Sequence, residues 1–442
     1  MIPRLAQVEP AQGRYLAFLE TLDQQGFQGE IRSDYGTRLV QSTDNSIYQI
    51  LPQAAVFPIN KSDLKILLKL ATHEKYRDIR FAPRGGGTGT NGQSLTDGII
   101  IDCSRHMNDI RELNLEQGWV KVGPGVVLDQ LNYFLRPHKV FFAPNLSPSS
   151  RATLGGMINT DACGKGSRVY GRTSDHLLEL SCLLSNGEEL HSVPLNPKEL
   201  TDWKEASGRT GDVYRVVDEI VCRQAELIEE VFPKMSRFMT GYNLARVYSN
   251  DQRPIFNLNY LLSGSEGTQA VVHEAKIRMT PLPAFQELIV VKYESFDDAL
   301  RAAGILVQSD PTAIETVDEK ILGLAREDEI YHKVKDFVAD EGSRPTRTIN
   351  LVEFSGNEKS VVSAKVDQLA KIIHERKEIS GEATGFYRTD IPEEIRDLWN
   401  LRKKGVGLLG NTKGRRKPIP FVEDTAVPPE NLAAYIREFR DW

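Results

Sequence analysis

The sequence predicts an α+β protein built in two parts. Three observations carry that reading. A glycine-dense loop, Pro83-Arg84-Gly85-Gly86-Gly87-Thr88-Gly89-Thr90-Asn91-Gly92, lies between two apolar runs that read as strands. A Pro281-Leu282-Pro283 break punctuates the chain beyond it. From Phe285 onward, strands and helices alternate at a spacing that suits one layered unit.

Residues 1–50 read as an N-terminal extension, polar and turn-rich after a short helix over 14–25, with loops at Tyr35-Gly36 and Thr43-Asp44-Asn45-Ser46. A brief strand over 55–58 follows. Ser62 is the expected cap of a helix running to His73, with Leu64, Leu67, Leu68 and Ala71 on one face. Strands over 79–82 and 98–102 bracket the glycine loop.

That loop fits G-x-G-x-x-G in letters from Gly87 to Gly92. A dinucleotide fingerprint needs a helix to open at those glycines, and 93–98 lacks helical periodicity. A P-loop needs a following Gly-Lys-Ser/Thr, which is absent here. Two readings stand: a cradle of backbone N–H groups for phosphate, or a flexible hairpin loop with no ligand. The glycine density favours the cradle.

A strand over 119–123 turns through Gly123-Pro124-Gly125 into a helix over 127–136. The stretch from Thr153 to Gly166 is rich in glycine and small polar residues; it suits close approach by a ligand or is a long irregular loop. Asn186-Gly187 marks a hairpin between 177–184 and 188–193. A helix over 213–231 presents Val213, Val216, Val217, Ile220 and Val221 on one face. Strands are expected over 257–262 and 271–279. The second part carries strands over 287–293, 313–317, 346–354 and 418–423. Its helices fall over 296–308, 318–324, 330–338, 360–376, 392–403 and 429–439.

Of 442 residues, 26% are charged and the net charge is -6, which argues against a broad nucleic-acid surface. No apolar run approaches the roughly 20 residues of a membrane span. Cys103, Cys163, Cys182 and Cys222 form no C-x-x-C pair, so a reduced, cytoplasmic chain without a cysteine cluster is expected.

The motifs together resemble the FAD-binding proteins of the PCMH (vanillyl-alcohol oxidase) type. The matching stretches are 83–89, 122–125, Thr153-Leu154-Gly155-Gly156 through Tyr170-Gly171, Thr240-Gly241-Tyr242-Asn243-Leu244 and Gly264-Ser265-Glu266-Gly267-Thr268. Their order is similar to that in the D-2-hydroxyacid dehydrogenase branch, bacterial members of which fuse an iron–sulfur region.

The resemblance implies a two-subdomain FAD domain over 51–283 and an α+β, ferredoxin-like cap over 284–442, expected to be incomplete at its C-terminus. It implies FAD held by Arg84, Gly85, Gly86, Gly87, Thr88, Gly89 and Thr90 at the pyrophosphate. Ser149, Ser150, Thr153, Gly155, Gly156, Asn159, Gly164, Gly166, Tyr170, Gly171, Glu266 and Thr268 would line the rest. Cys163 is a small packed residue or a covalent tether. In Trp399-Asn400-Leu401-Arg402, Arg402 is expected to clamp a substrate carboxylate or to be an exposed helix charge. Lys417, in the basic run 413–417, is the candidate for a second carboxylate.

The implied reaction is oxidation of a 2-hydroxy acid, D-2-hydroxyglutarate first, by hydride transfer to flavin. Lactate, glycolate, reduced nicotinamide as donor, or a non-catalytic flavin module are the alternatives. Relatives carry a lysine where this chain has Phe421-Val422-Glu423-Asp424. They also add a divalent-metal site, the catalytic base and a 4Fe-4S cluster in a later region. The sequence ends at Trp442 without those elements, so a fragment is expected.

Overall fold

The computed structural model describes residues 10–235, 241–249, 254–410 and 425–441. The chain forms two compact units, Met1–Gly164 with Gly171–Pro281, and Lys165–Tyr170 with Leu282–Trp442.

The first unit holds two main sheets. One contains β1 (Glu30–Arg32), β2 (Ala54–Phe57), β3 (Phe81–Arg84) and β4 (Ile99–Asp102) in the order β1-β2-β4-β3. The strands β2, β4 and β3 run parallel, while β1 is antiparallel to β2. All four residues of β2 and of β4 are buried, which explains the apolar runs Ala54–Phe57 and Ile99–Ile101. The glycine loop is therefore a parallel crossover without a helix and not a hairpin loop, which would need β3 and β4 antiparallel.

Residues 13–50 are built into this layer. Tyr15, Phe18 and Leu22 of the helix Gly13–Gln24 join the core of β2 and β4, and Tyr35–Val40 is a helix where a loop was expected. The helix Lys61–Ala71 is capped by Asn60, not Ser62, because the Asn60 side chain accepts from Asp63 N.

The second sheet uses β5 (Ile110–Asn114), β6 (Trp119–Val122), β8 (Leu177–Leu184), β9 (Glu189–Ser192) and β10 (Ala270–Arg278). A small pair, β7 (Val140–Phe141) and β11 (Thr280–Pro281), stands apart. The sheet order is β5-β6-β10-β8-β9, antiparallel throughout.

Two expectations fail here. The helix over 213–231 is two helices, Gly208–Arg223 and Ala225–Val231, broken at Gln224. Tyr214, Val217 and Val221 are buried, whereas Val216 and Ile220 are exposed, so the buried stripe is narrower than the valine count suggests. Residues 259–262 form a helical turn, not a strand, because Leu261 and Leu262 both bury inside one turn.

The second unit is a four-stranded antiparallel sheet of β12 (Phe285–Tyr293), β13 (Ala313–Val317), β14 (Thr348–Gly356) and β15 (Gly385–Thr389), ordered β13-β14-β12-β15. This is the split β-α-β arrangement of a ferredoxin-like fold. Alternate residues of β12 serve opposite faces. Leu288 and Val290 pack with Ile395, Leu398 and Leu401 of the helix Pro392–Gly410. Ile289 and Val291 pack with Val362, Val366 and Leu369 of the helix Lys359–Arg376. The strand β15 was not predicted, since no alternation marks Gly385-Phe386-Tyr387-Arg388-Thr389. The strand expected over 418–423 lies outside the described residues.

Burial sorts the four thiols. Desolvation pushes Cys103 up to about 12 and raises Cys182 further, whereas Cys222 is exposed. Iodoacetamide at pH 8 is expected to alkylate Cys222 and to spare Cys103 and Cys182 in the folded protein, as read by peptide mass mapping.

Candidate functional site

The glycine loop leaves β3 and packs directly on the chain before the helix Leu154–Asn159. A Cβ added to Gly85 would lie 2.0 Å from Thr153 Oγ1, and one on Gly86 would lie 2.0 Å from the Arg151 carbonyl oxygen. Gly87 adopts φ +60°, and a Cβ there would meet Arg84 Nη2 at 2.5 Å. Arg84 itself turns back as a brace: Nη2 donates to Thr43 O at 2.7 Å and Nη1 to Ser94 Oγ at 3.4 Å. A Cβ on Gly89 would lie 2.6 Å from the Gln93 amide, whose Oε1 accepts from Asn91 N. Thr88 and Thr90 are half-buried in the same loop.

Among the described residues, the N–H groups of Gly86, Gly87, Thr88 and Gly89 have no hydrogen-bond acceptor. Four successive backbone donors without acceptors in the protein can serve an anion.

The second wall starts at Ser149, buried, and Ser150, exposed. Thr153 caps Leu154–Asn159 by accepting from Gly156 N at 3.3 Å. Gly155 N donates to Pro124 O at 2.8 Å, and a Cβ on Gly155 would lie 2.7 Å from Pro124 Cβ. The 123–125 turn is thereby fixed against the helix start. Asn159 Nδ2 donates to Gly155 O at 2.8 Å, and Asn159 O accepts from Glu266 N at 2.8 Å.

The 263–268 turn closes the arrangement. Gly264 N donates to Ile158 O, and a Cβ on Gly267 would lie 2.4 Å from Pro83 Cγ. Glu266 holds φ +52° and its carboxyl is raised by burial. Thr268 Oγ1 shares a 2.7 Å hydrogen bond with Tyr242 OH. Gly164 sits against Asn145, where a Cβ would lie 2.0 Å from its carbonyl oxygen. Gly171, φ +74°, backs onto Asp175. The described residues of the five motifs that belong to the first unit thus meet there. Gly166 and Tyr170 belong to the second, where Gly166 stacks under the Tyr170 ring and burial raises the Tyr170 phenol.

Sequence reasoning missed the frame under this wall. Asp161, at φ +46°, pairs with buried Arg172 at 3.3 Å and accepts from Ser174 N and Oγ. Asp175 pairs with Arg246 at 2.6 Å. Asp161 lies inside the 153–166 stretch, but Arg172, Ser174 and Asp175 lie beyond it and no local pattern marked them. The amides of Asn243 and Asn259 are buried without hydrogen-bond partners among the described residues.

In the second unit, Arg402 is not a free helix charge. Its Nε donates to Glu315 Oε2 of β13 at 2.9 Å, and its side chain remains 35% exposed. One helical turn earlier, Trp399 Nε1 donates to Glu353 Oε2 at 2.7 Å. Lys165 Nζ lies 2.7 Å from the same oxygen and 4.1 Å over the Trp399 ring. Neither Lys165 nor Glu353 was foreseen as a pair, being 188 residues apart. Lys417 lies outside the described residues. Among the described residues, no group of three or more His, Cys, Asp or Glu could hold a metal ion, and no helix is long and apolar enough to cross a membrane.

Comparison with known proteins follows this geometry. Residues 52–192 match the family described as FAD binding domain, and residues 282–442 match the C-terminal domain of FAD linked oxidases. The chain belongs to the FAD-linked oxidase family. It is 51% identical to a D-2-hydroxyglutarate dehydrogenase of Pseudomonas putida over 440 residues, covering 100% of this chain and 43% of that protein. It is 48% identical to the Escherichia coli D-2-hydroxyglutarate dehydrogenase over 444 residues, with the same coverage of 100% and 43%. The chain therefore spans less than half the length of these relatives. An alkyldihydroxyacetonephosphate synthase structure superposes with a TM-score of 0.65 at 17% identity, covering 92% of this chain and 66% of that one. That likeness shows the fold alone.

The residues present fit the cofactor the family binds. FAD carries two phosphate charges, and the loop offers four unpaired donors in series where side chains are excluded.

Proposed function

We propose that this chain is the flavin- and substrate-binding part of an FAD-dependent D-2-hydroxyacid dehydrogenase, with D-2-hydroxyglutarate as substrate and 2-oxoglutarate as product. The observation that carries the reading is the row of unpaired N–H groups at Gly86, Gly87, Thr88 and Gly89, locked against Arg151 and Thr153. Bound FAD supplies the hydride-accepting ring.

The chain's own residues would bind and orient. Gly86 to Gly89 hold the pyrophosphate through backbone donors. Thr153, Gly155, Gly156, Asn159, Glu266 and Thr268 shape the adjoining wall, with Ser149, Ser150, Gly164 and Gly171 extending it. Arg84 acts through the loop it braces. Arg402 fixes the substrate's carboxylate through its planar guanidinium, so that the α-hydrogen is presented in one direction. Gly166, Tyr170 and Lys417 are supporting contacts in this proposal. The base, a divalent metal, a 4Fe-4S cluster and the onward electron acceptor belong, in this reading, to the longer protein that the relatives represent.

Anaerobic mixing of the FAD-loaded, full-length protein with D-2-hydroxyglutarate tests this. Bleaching of the oxidised flavin band is expected. Bleaching by NADPH and not by the hydroxy acid would replace the reading with a nicotinamide-dependent reductase. Arg402→Ala is expected to lower kcat/KM for the hydroxy acid about tenfold, the value of one lost charge-assisted contact. Unchanged steady-state kinetics would remove Arg402 from the site.

A further inference from the structure

We infer that Glu315 is a positioning residue for Arg402, a role that rests on the substrate-binding reading of Arg402 above. The pair is made in a specific way. Glu315 Oε2 accepts from Nε of Arg402 at 2.9 Å, an interaction on the Nε edge of the guanidinium. The opposite edge, with its two Nη groups, is left as a second fork that can meet a carboxylate bidentately. A guanidinium pinned through Nε has its plane and direction set before substrate arrives.

The fold makes Glu315 a rigid anchor. It lies mid-strand in β13, in register with Leu351 of β14, and its side chain is 25% exposed. Arg402 follows Leu398 and Leu401, which are fully buried on the same sheet face. Both ends of the hydrogen bond are therefore fixed by core packing. Glu353, two residues along that face in register with Ala313, is occupied by Lys165 and Trp399. Glu353 therefore does not compete with Glu315 for Arg402 in the structure.

A charge argument gives the opposite expectation. Glu315 is an anion beside a site for an anion, so its removal should strengthen carboxylate binding on electrostatics alone. If Glu315 positions Arg402, its removal weakens binding despite the gain of one positive charge. The two roles thus differ in sign.

Calorimetric titration of the full-length, FAD-loaded protein with 2-oxoglutarate reads the difference. Glu315→Ala is expected to weaken binding about tenfold. Glu315→Gln, which keeps an oxygen acceptor for Nε and drops the charge, is expected to restore binding to within about twofold of wild type. Retained flavin absorbance serves as the folding control. Tighter binding by Glu315→Ala, or equal weakening by both variants, overturns the positioning role. Arg402→Ala is titrated in parallel: if it binds 2-oxoglutarate like wild type, the substrate-binding reading of Arg402 fails first, and the role of Glu315 falls with it.

Discussion

Gly86→Ala is expected to leave the purified protein without retained FAD. The new Cβ would stand 2.0 Å from the Arg151 carbonyl oxygen, well inside the separation that heavy atoms tolerate. That carbonyl cannot swing aside cheaply. The segment that follows it is tied on by Leu128 N to Ala152 O at 3.0 Å and by Leu154 N to Val126 O at 2.8 Å. Relief must come from the glycine loop, which would lift off the 151–153 segment and carry its free donors with it. Hydrogen bonds to charged groups are worth about 1.5–3 kcal/mol each, so misplacing two of them lowers FAD affinity on the order of a thousandfold. The measurement is flavin absorbance after desalting, together with titration of apoprotein with FAD. Gly304→Ala is the control. Nothing lies within 4 Å of its Cβ, and it sits inside the helix Ala303–Gln308, where alanine is favoured by roughly 0.5–1 kcal/mol. Wild-type FAD affinity in Gly86→Ala would show that the loop does not carry the phosphates.

How much of this could be read from the sequence follows from range. Local signals were sufficient where a residue's reason lies within a few positions. The apolar runs of β2 and β4, the loop lacking a helix, and three of the four strands of the second unit all have local causes. The order of the glycine motifs was also visible. The collisions that make them glycine were not, because Gly85 answers to Thr153 and Gly267 to Pro83. The Asn60 cap was misread since Ser62 offers an equally good hydroxyl to a reader who cannot see Asp63 N. The helical turn Asn259–Leu262 looked like a strand because four apolar or amide residues are too short a run to separate the two periods. Arg402 was singled out, yet its partner Glu315 is 87 residues away and carries no local mark. That pair joins a helix to a strand, so it is a property of how the two pack and is not written in the sequence of either element alone.

The same long-range logic governs the strongest stability effect expected in the second unit. Lys165→Met should destabilise that unit by about 3 kcal/mol. Glu353 is 3% exposed, and its carboxylate depends on Lys165 at 2.7 Å and on the Trp399 indole N–H. Removing the lysine leaves a buried charge with one neutral donor, and breaking a buried pair in this way typically costs about 3–5 kcal/mol. The lower end applies because Lys165 keeps 23% of its side chain exposed, so water reaches the pair. The loss of the ammonium over the Trp399 ring, 4.1 Å away, adds to the deficit. Hydrogen exchange along β14 reads the effect within this unit, without requiring the whole chain to unfold in one step. Amide protection from Thr348 to Gly356 should fall on the order of a hundredfold in Lys165→Met. Adding Glu353→Gln removes the stranded charge while keeping an acceptor for Trp399, and most of the protection should return. If Lys165→Met exchanges like wild type, or if the second substitution deepens the loss, the pair is a surface contact and Glu353 is held by something other than charge.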